Sequence, residues 1–180
     1  FRDVVSFEEE TLDGDELWGV IEPALRGALE EVSRVRAMEG ANLHAELRSR
    51  LEAIEADVAA IEEAAASLPA QWHERLRRRA EELAAGLEVD QRLLEQEVAL
   101  HAERSDVSEE ITRLRSHVES ALKLLDLDEP MGRQLDFYIQ EMHREANTLG
   151  AKAGSLQISQ RVVAVKSELE KMRQQVQNVE

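Results

Sequence analysis

Leu47, Leu51, Ile54, Val58, Ile61, Ala65 and Leu68 follow one another at alternating spacings of four and three. Such a seam lies on one side of an α-helix, whereas strand side chains change face at every residue. A strict seven-residue repeat drifts around a straight helix, so the seam predicts a left-handed coiled coil. At about 1.5 Å per residue it spans roughly 30 Å. Ile158, Val162, Val165, Leu169, Met172, Val176 and Val179 repeat the pattern, and Val107, Ile111, Leu114, Val118, Ala121 and Leu125 make another seam. Alternating β-branched runs are missing. The fold class expected is all-α: long helical hairpin and coiled-coil segments plus a small helical bundle.

Breaks in the pattern set the organisation. Residues 1–14 are acidic, end in a turn-like Leu12-Asp13-Gly14-Asp15 and read as a linker remnant. Residues 15–88 read as a long helical hairpin. Its first helix starts near Asp15, with Leu17, Ile21, Leu25, Ala28, Val32 and Val35 as an apolar line, and leads into the heptad seam. Ser67-Leu68-Pro69 is expected to end that helix and start another, from Pro69 to about Ala85, packed antiparallel to the seam. Residues 89–180 read as a helical bundle. Its helices run over about Asp90–Glu103, onward from a break or tight bend at Arg104–Ser108, over Gly132–Lys152 and from about Ser159 to the end. Asp106 with Glu109, or Ser108 alone, is the expected cap of the second of these.

Composition narrows the function classes. The absence of Cys excludes disulfides and thiolate metal sites and fits a reducing cytoplasm. No apolar run approaches the roughly 20 residues needed to span a bilayer. A net charge of −16 opposes nucleic-acid binding through bulk charge. The charge is uneven, however. Residues 1–105 hold 25 acids and 12 bases, and residues 106–180 hold 13 acids and 10 bases. An RNA partner would need a local patch of Arg and Lys. The Arg75–Arg79 cluster is one such patch, and also reads as a solvated face balanced by Glu81 and Glu82.

Gly132–Lys152 has two unlike faces. Leu135, Ile139, Met142, Ala146 and Leu149 form a buried stripe with Tyr138 at its edge. The other side carries Arg133, Asp136, Phe137, Gln140, Glu141, Arg144, Glu145, Asn147, Thr148 and Lys152. Glu141 and Glu145 lie four apart and repel unless Arg144, Lys152 or a divalent cation offsets them. His117, beside the seam residue Val118, reads either as a hydrogen-bonded structural residue or as a general acid or base. Arg113, Arg133, Arg144 and Lys152 can hold phosphates or bridge to nearby acids. Phe137 can pack against a neighbouring helix or stack on a splayed base. His44 and His73 read as surface residues.

The run Gly132-Arg133-Gln134-Leu135-Asp136-Phe137, with Gln140-Glu141, Arg144-Glu145, Asn147-Thr148 and Lys152, resembles the YicC/YloC family of bacterial endoribonucleases. Arg92-Leu93-Leu94-Glu95-Gln96-Glu97, Arg104 to Glu110, Arg113-Leu114-Arg115-Ser116-His117 and Val176 to Glu180 carry the resemblance further. It implies the C-terminal part of a divalent-metal-dependent enzyme that cuts structured or small RNAs, with an additional N-terminal domain elsewhere. It implies Mn²⁺ or Mg²⁺ as cofactor, held by Asp136, Glu141 and Glu145. His117, Glu141 and Glu145 would be catalytic, with His117 as acid or base. Arg113, Arg133, Phe137, Arg144 and Lys152 would contact RNA. The partners implied are RNA, further copies of the chain in a ring-like hexamer and other RNA-decay proteins. The location expected is the cytoplasm, with no membrane partner. A reading of another class is a non-catalytic helical scaffold that oligomerises and clamps RNA.

Overall fold

The computed structural model describes residues 13–84, 90–127 and 129–177. They form α1 (Gly14–Ala84), α2 (Gln91–Arg104), α3 (Ser108–Leu125), α4 (Gly132–Lys152) and α5 (Leu156–Val176). No strand occurs among the described residues, and none of their helices is long and apolar enough to cross a membrane. The chain divides into two compact units, residues 1–43 and residues 44–180.

The described part of the first unit is helical from Gly14. Asp13 starts it, its Oδ1 accepting the Asp15 amide at 3.2 Å. The expected apolar line is present, but it has no cover from within its unit: Leu17, Ile21, Leu25 and Val32 are 45–54% exposed.

The second unit is built on the seams. Leu47, Leu51, Ile54, Val58, Ile61 and Leu68 of α1 are buried, as are the apolar stripes of α3, α4 and α5. Ala64 is buried and Ala65 half-buried, so both residues flank the seam at that turn. Lower numbers on α1 meet the C-terminal end of α3 and higher numbers its middle: His44 Nε2 donates to the Leu125 carbonyl at 3.1 Å, Arg48 pairs with Asp126 just past α3, and Arg115 meets Glu62 at 2.6 Å. The same order holds on α5, where Arg50 meets Glu168 at 2.6 Å and Arg161 meets Asp57 at 2.8 Å. This part of α1 therefore runs antiparallel to both, and α4 packs against α3 and α5. His44, expected at the surface, is half-buried because it satisfies a carbonyl at the end of α3.

The turn expected at Ser67-Leu68-Pro69 is absent, and α1 continues through Pro69 to Ala84. Proline inside a helix costs about 3 kcal/mol. Packing on both sides offsets that cost. Leu68 is buried before it, and Trp72 meets the ring of His101 on α2 at 3.6 Å after it. α2 thus meets α1 at Trp72, beyond the position where the sequence suggests that the first helix ends. Asp90 caps α2, its side chain accepting from the amides of Arg92 and Leu93. Asp90→Ala is expected to lower stability by about 1 kcal/mol, read as a denaturant midpoint shift.

Asp106 accepts both the amide (2.9 Å) and the hydroxyl (2.6 Å) of Ser108, which fixes the entry to α3 and holds the Asp106 carboxyl below its usual range. Between α4 and α5, Gly154 takes φ +54°, a left-handed conformation that lets the chain reverse there. α4 stays helical through Gly150, whose missing Cβ lets it approach α5 closely: an added Cβ would sit 3.1 Å from Val162 Cγ1.

Glu168 is held by Lys171 and Arg50, which lower its pKa. A depressed carboxyl contributes stability above the unfolded pKa and loses it as pH falls through the folded one. Glu168→Gln is therefore expected to cost about 1 kcal/mol near neutrality. The difference from the parent chain should fade below about pH 4, measured by thermal unfolding across pH.

Candidate functional site

α3 and α4 lie side by side and antiparallel, and each carries a polar edge beside its apolar stripe. Ile111, Leu114, Val118 and Ala121 point inward from α3, and Leu135, Ile139, Met142, Ala146 and Leu149 from α4. That rotation leaves Glu110, Arg113 and His117 along one rim of α3, and Tyr138, Glu141, Glu145 and Lys152 along the facing rim of α4. The rims meet in matched order. The ring centroids of Tyr138 and His117 are 6.1 Å apart, Arg113 reaches Glu145 at 3.7 Å, and Lys152 donates to Glu110 at 2.6 Å.

At the middle of this seam His117, Glu141 and Glu145 each offer one ligand-type atom within 4.8 Å of the others. His117 and Glu141 are half-buried and Glu145 is only 5% exposed. The Arg113 guanidinium at 3.7 Å is beyond hydrogen-bond range, and no hydrogen bond reaches Glu145 among the described residues. Glu145 thus has a positive charge nearby but no hydrogen bond to its carboxylate, which leaves its oxygens available to a closer cation. Glu141 has Arg144 at 3.9 Å, on a side chain 75% exposed. The donor set is an imidazole and two carboxylates, which suits a hard or borderline divalent ion.

The other expected residues are spread around this centre. Asp136 lies outside the group: its carboxylate accepts from Gln140 at 2.6 Å, a turn along the outer face of α4. Arg133 is exposed near the start of α4. Phe137 is 55% exposed and meets Tyr138 edge-on with centroids 5.6 Å apart. Lys152 is engaged by the buried Glu110, and that hydrogen bond raises its pKa. The second oxygen of Glu110 is buried and has no partner among the described residues. His143 faces α5, where burial lowers its pKa, and its Nε2 has no hydrogen bond among the described residues. The Arg75–Arg79 patch is largely neutralised. Arg77 and Arg78 bind Glu74 and hold its carboxyl down at about 2. Arg77 also meets Glu81, Arg79 meets Glu82, and Arg75 lies over the Trp72 ring.

Two members of the seam escape a reading of sequence alone. Tyr138 reads as the edge of an apolar stripe, and Glu110 only as part of the run Arg104 to Glu110. The available signal is the helical spacing of Tyr138, Glu141, Glu145 and Lys152 on one edge of α4, which places any partner of one beside the partners of the rest.

The α3–α4 seam brings a histidine and two carboxylates to ligand spacing, with arginines beside them. Comparison with known proteins gives the chain a family. Residues 61–180 match the family described as endoribonuclease YicC-like, C-terminal. The chain is 38% identical to a probable endoribonuclease YicC of Clostridioides difficile (strain 630), over 100% of this chain and 62% of that relative. It is 36% identical to a probable endoribonuclease YicC of Haemophilus influenzae (strain ATCC 51907 / DSM 11121 / KW20 / Rd), over 98% of this chain and 60% of that relative. The chain belongs to the YicC-like endoribonuclease family. It spans about three fifths of the length of these relatives.

Proposed function

We propose that this chain carries the cleavage centre of a divalent-metal-dependent endoribonuclease acting on structured or small RNAs. The observation that carries the reading is the convergence of His117, Glu141 and Glu145 within 4.8 Å, with Glu145 buried. Glu141 and Glu145 would supply oxygen ligands and His117 a nitrogen. An imidazole among the ligands favours a transition ion such as Mn²⁺ over Mg²⁺. A bound ion would polarise a phosphate oxygen and acidify an attacking water or hydroxyl. Arg113 and Arg144, on either side of the carboxylates, would hold phosphate oxygens and stabilise developing charge. Phe137 offers an exposed ring for an unstacked base. Lys152 is the weaker phosphate candidate, because its ammonium already donates to Glu110. Asp136 is left out of the ligand set for its distance in the fold from the other two acids.

The exposed apolar line from Leu17 to Val32 supports assembly with further copies, in the ring-like form the family resemblance implies. Assembly would also let arginines of several subunits face one RNA, as a chain of net charge −16 requires. Cytoplasmic location and contact with other RNA-decay proteins belong to the same proposal.

The test is incubation of the chain with a labelled hairpin RNA in Mn²⁺, in Mg²⁺ and in EDTA, beside a Glu141→Gln variant. Cutting that needs the metal and is lost in the variant supports the reading. RNA binding without cutting supports the scaffold reading instead.

A further inference from the structure

We propose that Arg113 is a built-in competitor of the metal, and that this competition couples metal binding to RNA binding. The inference rests on the metal reading above. Glu145 is buried, and among the described residues the cation that pairs with it is the Arg113 guanidinium at 3.7 Å. That separation supplies charge without a hydrogen bond, so it offsets the carboxylate while leaving its oxygens open to a ligand bond. The Arg113 side chain is 54% exposed and also binds Glu109, one helical turn back on the solvent side of α3. Glu109 therefore anchors the guanidinium on the outward side of the seam while it still lies 3.7 Å from Glu145.

A divalent ion on Glu145 and the guanidinium repel at such range. Loading the ion drives Arg113 outward, where its N–H groups face whatever lies over the seam. An RNA phosphate that draws Arg113 outward lowers the cost of loading. By linkage, the ion then tightens RNA binding by the same factor. Arg113 would hold metal affinity low until substrate arrives.

The test is Mn²⁺ titration by calorimetry on the parent chain and three variants, with helical content checked by circular dichroism. Arg113→Gln should bind Mn²⁺ roughly tenfold more tightly, because a cation is removed from its vicinity. Arg113→Lys, which keeps the charge, should stay near the parent. Glu109→Gln should bind more weakly, because Arg113 then has only Glu145 to hold. Both Arg113 and Glu109 are exposed, so these changes spare the core. Opposite shifts in Arg113→Gln and Glu109→Gln support the proposal. Unchanged or weaker binding in Arg113→Gln, with Mn²⁺ still bound by the parent, overturns it and leaves the metal reading intact. No Mn²⁺ binding in any of the four overturns both.

Discussion

His117→Ala and Glu141→Gln will each reduce metal-dependent RNA cleavage by about 10²–10⁴-fold, the scale of a positioned acid, base or metal ligand. Initial rates on a hairpin RNA, with the metal saturating for the parent chain, measure it. Both residues are half-buried at the rim of the α3–α4 seam, outside the apolar stripes. The variants should therefore stay folded, with melting temperatures within a few degrees of the parent. Metal titration separates the two roles of His117. A ligand lost weakens Mn²⁺ binding together with the rate, whereas a lost proton carrier leaves binding as it was. The geometry favours the ligand role, since the imidazole sits within 4.8 Å of both carboxylates. Parent-like rates in both variants would remove the seam from the chemistry.

Leu114→Ala will destabilise the second unit by about 2–5 kcal/mol, the range for deleting a fully buried leucine. Leu114 is 0% exposed and belongs to the inward stripe of α3, between Arg113 and Arg115. For a chain of this size such a loss lowers the melting temperature by on the order of 5–20 °C. Ile139→Ala, on the facing stripe of α4, should fall in the same range, since Ile139 is also 0% exposed. Thermal unfolding followed by circular dichroism measures both. Because these stripes set the rotation of α3 and α4, either change should also loosen the His117–Glu141–Glu145 triangle. Mn²⁺ affinity should then fall even well below the melting point. A loss under 1 kcal/mol would mean that the α3–α4 core collapses around the gap.

Helical period is the part of this fold that a one-dimensional reading captures. The seams Leu47–Leu68, Ile111–Leu125 and Ile158–Val176 are buried much as their spacing predicts. Period does not say what covers a seam. Leu17, Ile21, Leu25 and Val32 have comparable spacing, yet they are about half exposed, because no other part of their unit lies against them. Local signals also yield to packing. Pro69 marks a helix end by its chemistry, but Leu68 and Trp72 are anchored on either side and the helix runs on.

The candidate site divides in the same way. Glu141 and Glu145 share a face by simple spacing, so their pairing is visible without coordinates. Joining them to His117 requires the register of α3 against α4, which depends on packing between distant segments. That register also decides that Arg113 faces Glu145, and that Lys152 turns to Glu110 instead of offsetting Glu145. Asp136 shares the helix but falls on its outer side, where Gln140 takes its carboxylate.

Anomalous diffraction from crystals of the chain soaked in Mn²⁺ tests the central claim most directly. The account predicts a single strong peak between His117, Glu141 and Glu145, absent in crystals of Glu141→Gln. A strong peak elsewhere, or none at the seam when the crystals hold Mn²⁺, would contradict it.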